Sequence, residues 1–138
     1  MDEKIKKLTS RMKLKSSILK ESAFELQNSL GAKLPNDYMK FLLEANGAEG
    51  TIGSSYLVLW GLTDLIALNT AYKVNKYAPG LILIGSNGGD MAYAIDIRDK
   101  IPKYIEVPFI GMNISEIKYC ADDFVGFLEY LINRRNSL

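Results

Sequence analysis

The stretch Leu81-Ile82-Leu83-Ile84-Gly85-Ser86-Asn87-Gly88-Gly89-Asp90-Met91-Ala92-Tyr93-Ala94-Ile95-Asp96 decides the fold class. Its first four residues are a β-rich run. Beyond Asp90, Met91, Tyr93 and Ile95 alternate with Ala92, Ala94 and Asp96, the period of a strand. Two such runs around a Gly-Gly loop make a β-hairpin. Consecutive glycines can also aim N–H groups at a phosphate. Such nests open onto a helix N-terminus, however, and this loop opens onto a strand. The segment is read as a turn with Asp90 exposed at its end.

Working outward from the hairpin, Tyr56–Trp60 is an apolar run of strand length, preceded by a loop from Gly50 to Ser55. Tyr104–Phe109 reads as a further strand. Pro108 has no N–H for the ladder, so it must lie at an edge or an end. Gly111 to Ala121 is irregular, with a short strand near Ile117–Cys120. Between these strands, Thr63 or Asp64 caps a helix carrying Leu65, Leu68, Asn69 and Tyr72 on one side, stopped by Pro79-Gly80.

Helices flank the strands at both ends of the chain. Leu19, Ala23, Leu26 and Leu30 form an apolar helical stripe that Gly31 terminates. Leu34-Pro35-Asn36-Asp37 opens a second helix, because proline suits a first turn and Asp37 the positive helix end. Tyr38, Phe41, Leu42 and Ala45 form its buried face, and Asn46-Gly47 reads as a left-handed C-cap. Asp122 and Asp123 open the last helix, whose Phe124, Phe127, Leu128, Leu131 and Ile132 share one face. Arg134 and Arg135 complement its negative end. Helices, a mainly antiparallel meander crossed by one helix, then a helix: that order is α+β.

Composition narrows the function classes. A chain of 138 residues, 48% hydrophobic and 24% charged, suits one folded domain. It has no histidine and a single cysteine, Cys120. Histidine-based acid–base catalysis, catalytic triads, thiolate zinc clusters and internal disulfides are therefore excluded. No secretory h-region and no membrane-length apolar run occur, so a soluble, cytoplasmic protein is expected. The charge is uneven. Residues 1–20 carry seven Lys/Arg against Asp2 and Glu3, a net +5, while the other 118 residues carry ten against fourteen, a net −4.

Three features besides the Gly-Gly loop can carry chemistry, and each has a plainer reading. Asp90, Asp96 and Asp99 could converge on Mg²⁺ or act as an acid/base set. Strand alternation puts Asp96 opposite Met91, Tyr93 and Ile95, and Asp99 sits in the turn before Pro102, so a solvated face with turn caps is preferred. Trp60 is read as a core residue rather than a ligand stack. The basic arm of residues 1–16 is read as a solvated or frayed helix rather than a site for nucleic-acid phosphate or anionic membrane, and residues 17–138 as the single domain.

Together the landmarks resemble the SUKH superfamily, in the branch named after the yeast cell-wall assembly regulator. They are Leu30-Gly31-Ala32-Lys33-Leu34-Pro35-Asn36-Asp37-Tyr38-Met39-Lys40-Phe41-Leu42, Asn46-Gly47, Trp60-Gly61-Leu62, Asn69, Tyr72, the hairpin with Gly85 and Gly89, and Ala121-Asp122-Asp123-Phe124. The resemblance spans roughly residues 17–132; the basic arm has no counterpart in it. It implies an α+β fold: a twisted, mainly antiparallel sheet of about four to six strands packed against N-terminal, crossover and C-terminal helices. Many bacterial members look like immunity proteins that bind and block a toxin, often a nuclease, and the resemblance brings no catalytic residues with it. Leu34, Pro35, Tyr38, Trp60, Gly85, Gly89 and Phe124 then serve structure. An acidic side chain near the first loop is represented by Glu49, with Tyr56 after it.

The expectation is a non-catalytic, monomeric binding protein with no cofactor and no metal. Its partner is a cognate toxin or another protein, contacted through loops around Glu49, Tyr56, Asp64, Asp90 and Asp99. A regulatory module with no toxin partner is the alternative. A carboxylate- or metal-dependent enzyme stands behind both.

Overall fold

In the computed structural model, which describes residues 1–134, every strand pairs with its neighbours in the chain. Helix α1 (Glu3–Leu8) and strand β1 (Met12–Leu14) come first, then α2 (Lys20–Leu30) and α3 (Asn36–Glu44). Strands β2 (Ala48–Ile52) and β3 (Ser55–Leu59) follow, then α4 (Leu62–Ala71) and the single turn α5 (Val74–Tyr77). Strands β4 (Leu81–Ser86), β5 (Met91–Asp96), β6 (Lys103–Pro108) and β7 (Lys118–Ala121) lead to α6 (Phe124–Asn133). The sheet runs β1 to β7 in order, antiparallel throughout.

Seven strands exceed the expected four to six. The two additions are β1, inside the basic arm, and β2, which overlaps the Gly50–Ser55 loop expected from the sequence. Ala48-Glu49-Gly50-Thr51-Ile52 lacks the β-branched, apolar run that marks a strand. All five of its residues pair with β3, and β1 closes on its other edge at Gly50, where a Cβ would lie 2.8 Å from the Met12 Cα. Glycine lets the two backbones close, and neighbouring side chains reveal nothing of it. Residues 1–16 thus hold a helix, capped by the Asp2 carboxylate at Lys4 N (2.7 Å), and an edge strand.

Glycine has a second close approach at Gly85, where β4 shifts register against β5. A Cβ there would sit 2.0 Å from the Val58 carbonyl oxygen, so no other residue lets β3 join β4. Pro108 ends β6, where its missing N–H costs no ladder bond.

Both faces of the central sheet are covered. On one, Tyr38 and Phe41 of α3 and Phe124 and Phe127 of α6 pack on Tyr93 and Tyr104, with ring centroids 4.8–6.5 Å apart. On the other, Val74 and Ala78 around α5, with Met112 after β6, cover Leu83, Ala92, Ala94, Ile105 and Val107. Alternation pointed to a solvated second face; it is buried instead. Ala92 and Ala94 are small enough for this layer to lie against β5. Each large side chain so buried contributes roughly 1.5–3 kcal/mol.

Several boundaries differ from the sequence reading for physical reasons. Helix α2 ends at Gly31 in the left-handed region as expected (φ 76°), yet Ala23 is its one buried residue and Leu19 is exposed. α3 stops at an extended Ala45, so Asn46-Gly47 is not its cap. Asn46 instead accepts from Leu62 N through Oδ1 (2.8 Å), which satisfies the start of α4 in place of Thr63 or Asp64. That helix ends at Ala71, before Pro79, because Lys73 turns left-handed (φ 54°) and starts α5. Asp37, read as a dipole partner, joins three elements: its carboxylate accepts from Tyr38 N (2.8 Å), Tyr104 Oη (3.0 Å) and Phe124 N (2.8 Å). Asp123 caps α6 through Gly126 N (2.7 Å). Arg135 lies outside the described residues.

Candidate functional site

Antiparallel order brings the β2–β3 turn, the β4–β5 turn and the chain leaving β6 to one end of the sheet. The β4–β5 tip is held by its own side chains. Asn87 Oδ1 accepts from Gly89 N (2.9 Å) and Met91 N (3.2 Å), and Ser86 Oγ accepts from Gly88 N (3.1 Å). The N–H groups that an anion nest would offer are thereby used. Gly88 takes a positive φ of 82°, and a Cβ on it would lie 3.1 Å from the Tyr56 ring, so the tip rests on that tyrosine.

Tyr56 donates to Glu49 Oε2 across the β2–β3 pair (2.5 Å), and hydrogen bonding to this carboxylate raises the phenol above its ordinary range. Asp90 is exposed, and its carbonyl accepts from Phe109 N (3.0 Å). Glu49, Tyr56 and Asp90 therefore share one end of the sheet. Asp64, exposed in the first turn of α4, follows the opposite end of β3, and Asp99, exposed in the β5–β6 turn, lies at the opposite end of β5. The five residues named from sequence divide into three and two.

The carboxylate set dissolves in the same way. Asp96 is not on a solvated face: it is 7% exposed and bound to Arg98 Nε (2.9 Å) and Nη2 (2.8 Å). Those hydrogen bonds, opposed by burial, hold its carboxyl below the usual range. Asp90 is at the far end of the same strand. Among the described residues no group of three His, Cys, Asp or Glu side chains is placed to hold a metal ion. Trp60 is half-buried beside Phe109, which in turn stacks on Tyr72 at 4.9 Å.

Sequence reasoning missed the groove between the two turns and the end of α6. It measures about 390 Å³ and is lined by Thr51, Ser54, Ser55, Tyr56, Asn87, Tyr93 and Arg134. Ser54 Oγ donates to the Arg134 carbonyl (2.9 Å) and Ser55 Oγ to the Leu131 carbonyl (3.2 Å), fastening the β2–β3 turn to α6. Beneath lies Glu106, 2% exposed and directly opposite Tyr93 across the β5–β6 pair. It accepts from Arg134 Nη1 at 2.6 Å, so this arginine serves Glu106 rather than the helix end. Burial pushes the Tyr93 phenol and the Cys120 thiol each up to about 12. One signal was present in the sequence: Glu106 shares parity with Tyr104, which puts a charge on the core side of an interior strand.

A larger hollow of about 520 Å³ lies between α2, α4, α5 and β4, near Lys73 and Lys76. Its Asn69 is consumed by Leu65 O, Leu83 O and Leu83 N at 2.8–2.9 Å, as a clamp between α4 and β4. In the N-terminal segment, Lys4 pairs with Glu129 and Lys6 with Glu3.

The molecule is thus an α+β meander domain covered by helices and loops, with a polar surface built from two hairpin turns and a helix end. The model of the SMI1/KNR4 family (SUKH-1) matches residues 18–130, and the chain belongs to that family. That family fits a protein-binding role. No curated protein matches the sequence. Among the described residues no helix is long and apolar enough to cross a membrane.

Proposed function

We propose that the chain is an immunity-type inhibitor: a cytoplasmic, non-catalytic domain that seats on a protein toxin and blocks its active site. One observation carries the reading. Glu49, Tyr56 and the Asn87–Asp90 tip form a shared exposed end on rigid hairpins, the placement expected of a docking surface on a scaffold of this family. Exposed Glu49 and Asp90 place two carboxylates at that end, and a nuclease presents a basic cleft to which opposite charge speeds encounter.

The test is calorimetry against the product of a toxin-like gene beside this one. A tight 1:1 complex is expected, and the double charge reversal Glu49→Lys/Asp90→Lys should slow association roughly tenfold at low salt. Failure to bind any such neighbour would sink the reading.

A further inference from the structure

Tyr93 poses a chemical question. It is 1% exposed and lines the polar groove, yet its hydroxyl has no hydrogen-bond partner among the described residues. A phenol in this position ordinarily finds a partner. Tyr38 is the buried contrast: its hydroxyl is sealed within the core and also unpartnered. Tyr93 instead lines a space of about 390 Å³, large enough for another molecule's side chain.

The remaining polar groups around that space define what would fit. Arg134 is 32% exposed and spends one nitrogen on Glu106, leaving further N–H donors. Asn87 has its oxygen engaged by the turn, while its amide nitrogen has no partner among the described residues. The Thr51 hydroxyl adds a donor. Ser54 and Ser55 clasp the turn to α6, and a Cβ on Gly53 would lie 2.6 Å from the Ile132 carbonyl oxygen, so the wall is preformed. The slot is rich in donors, and its occupant must accept.

We propose that this groove receives the carboxylate of an Asp or Glu side chain from the protein partner, held by Tyr93 Oη, Arg134 and Asn87. A carboxylate adds one negative charge to a site where Arg134 is shared with Glu106 and Glu49 is bonded to Tyr56 of the lining. A phosphate dianion would add two, at a larger cost, and the free N–H donors of Arg134 and Asn87 suit the smaller charge. The inference rests on the protein-binding reading and deepens it. The partner would present a carboxylate inside a basic surround, the latter facing Glu49 and Asp90. A metal-dependent nuclease site has that arrangement of charge.

The probe is N-acetyl-glutamate N-methylamide, titrated into the ¹⁵N-labelled chain. Backbone signals of Thr51, Ser55, Asn87 and Tyr93 should shift together and saturate with a Kd of roughly 1–10 mM, the range of a single weak contact. The uncharged glutamine analogue should bind roughly tenfold more weakly. Tyr93→Phe removes one oxygen and keeps the packing, and it should weaken the probe roughly tenfold with the rest of the spectrum unchanged. Equal binding of the glutamine analogue, undiminished binding to Tyr93→Phe, shifts confined to other surfaces, or no saturation would each overturn the slot. The two readings separate cleanly. A neighbouring toxin bound at full strength by Tyr93→Phe retires the slot and keeps the immunity function; probe binding in a chain that no toxin engages does the reverse.

Discussion

Asp96 and Glu106 lie on adjacent strands, both buried and both holding an arginine, yet the two pairs differ in kind. Asp96 takes its cation from two residues along the chain, and the Arg98 side chain is 40% exposed. It also accepts from Arg98 N (3.1 Å), so the turn itself supplies part of the compensation. Glu106 takes its cation from 28 residues away, and Arg134 is the one ion-pair partner recorded for it among the described residues. A local pair decorates a turn; the distant pair ties the end of α6 to the middle of the sheet. Sequence separation, more than burial, sets how much structure depends on each.

The sharpest way to break the comparison is Arg134→Leu. It leaves Glu106 in the interior without its cation and should cost about 3 kcal/mol in urea unfolding, the low end for a broken buried pair because the arginine is partly solvated. Adding Glu106→Gln to that variant should return at least about 1 kcal/mol, since the uncompensated charge is gone. Full additivity of the two changes would contradict the pairing.

Asp96→Asn should cost less, about 1–2 kcal/mol at neutral pH, through the loss of charge-assisted hydrogen bonds. The pH dependence has a definite sign. Arg98 holds the folded carboxyl below its unfolded value near 4, so the stabilisation is complete above that value and is lost as pH falls through the folded one. The gap between Asp96→Asn and the parent should therefore close on acidification, checked by unfolding between about pH 6 and 2. Smallest of all, Arg98→Ala should cost under about 1 kcal/mol, because its arginine is exposed and the backbone bond to Asp96 survives. An effect as large as that of Arg134→Leu would erase the distinction between the pairs.

The same contrast explains what could be read in advance. Periodic or local features were legible: the Gly-Gly hairpin, the Gly31 terminator, the Asp123 cap, the end position of Pro108. Whatever depended on a distant neighbour was not. The outer edge of β2 is paired because β1 closes on Gly50, and α4 starts where it does because Asn46 reaches Leu62 N. The polar reading of the second sheet face failed because α5 and the chain after β6 cover it, a fact that resides in neither Ala92 nor Ala94. At the candidate surface, exposure of Glu49, Tyr56 and Asp90 followed from turns and strand ends. The groove beside them needed α6, whose terminal Arg134 had a sufficient local role as a helix-end cation.

The unbroken strand order has a consequence for how the chain is made. From β2 onward each strand emerges after a neighbour it pairs with. The β2–β3, β4–β5 and β5–β6 pairs close over short turns, while α2 and α3 intervene between β1 and β2 and α4 and α5 between β3 and β4. The cover is the exception. Phe124 N must find Asp37 across 87 residues, and until it does, Tyr38, Tyr93 and Tyr104 lack the helix that shields them. The interval before α6 emerges is thus this domain's most exposed moment, and α6 completes the core.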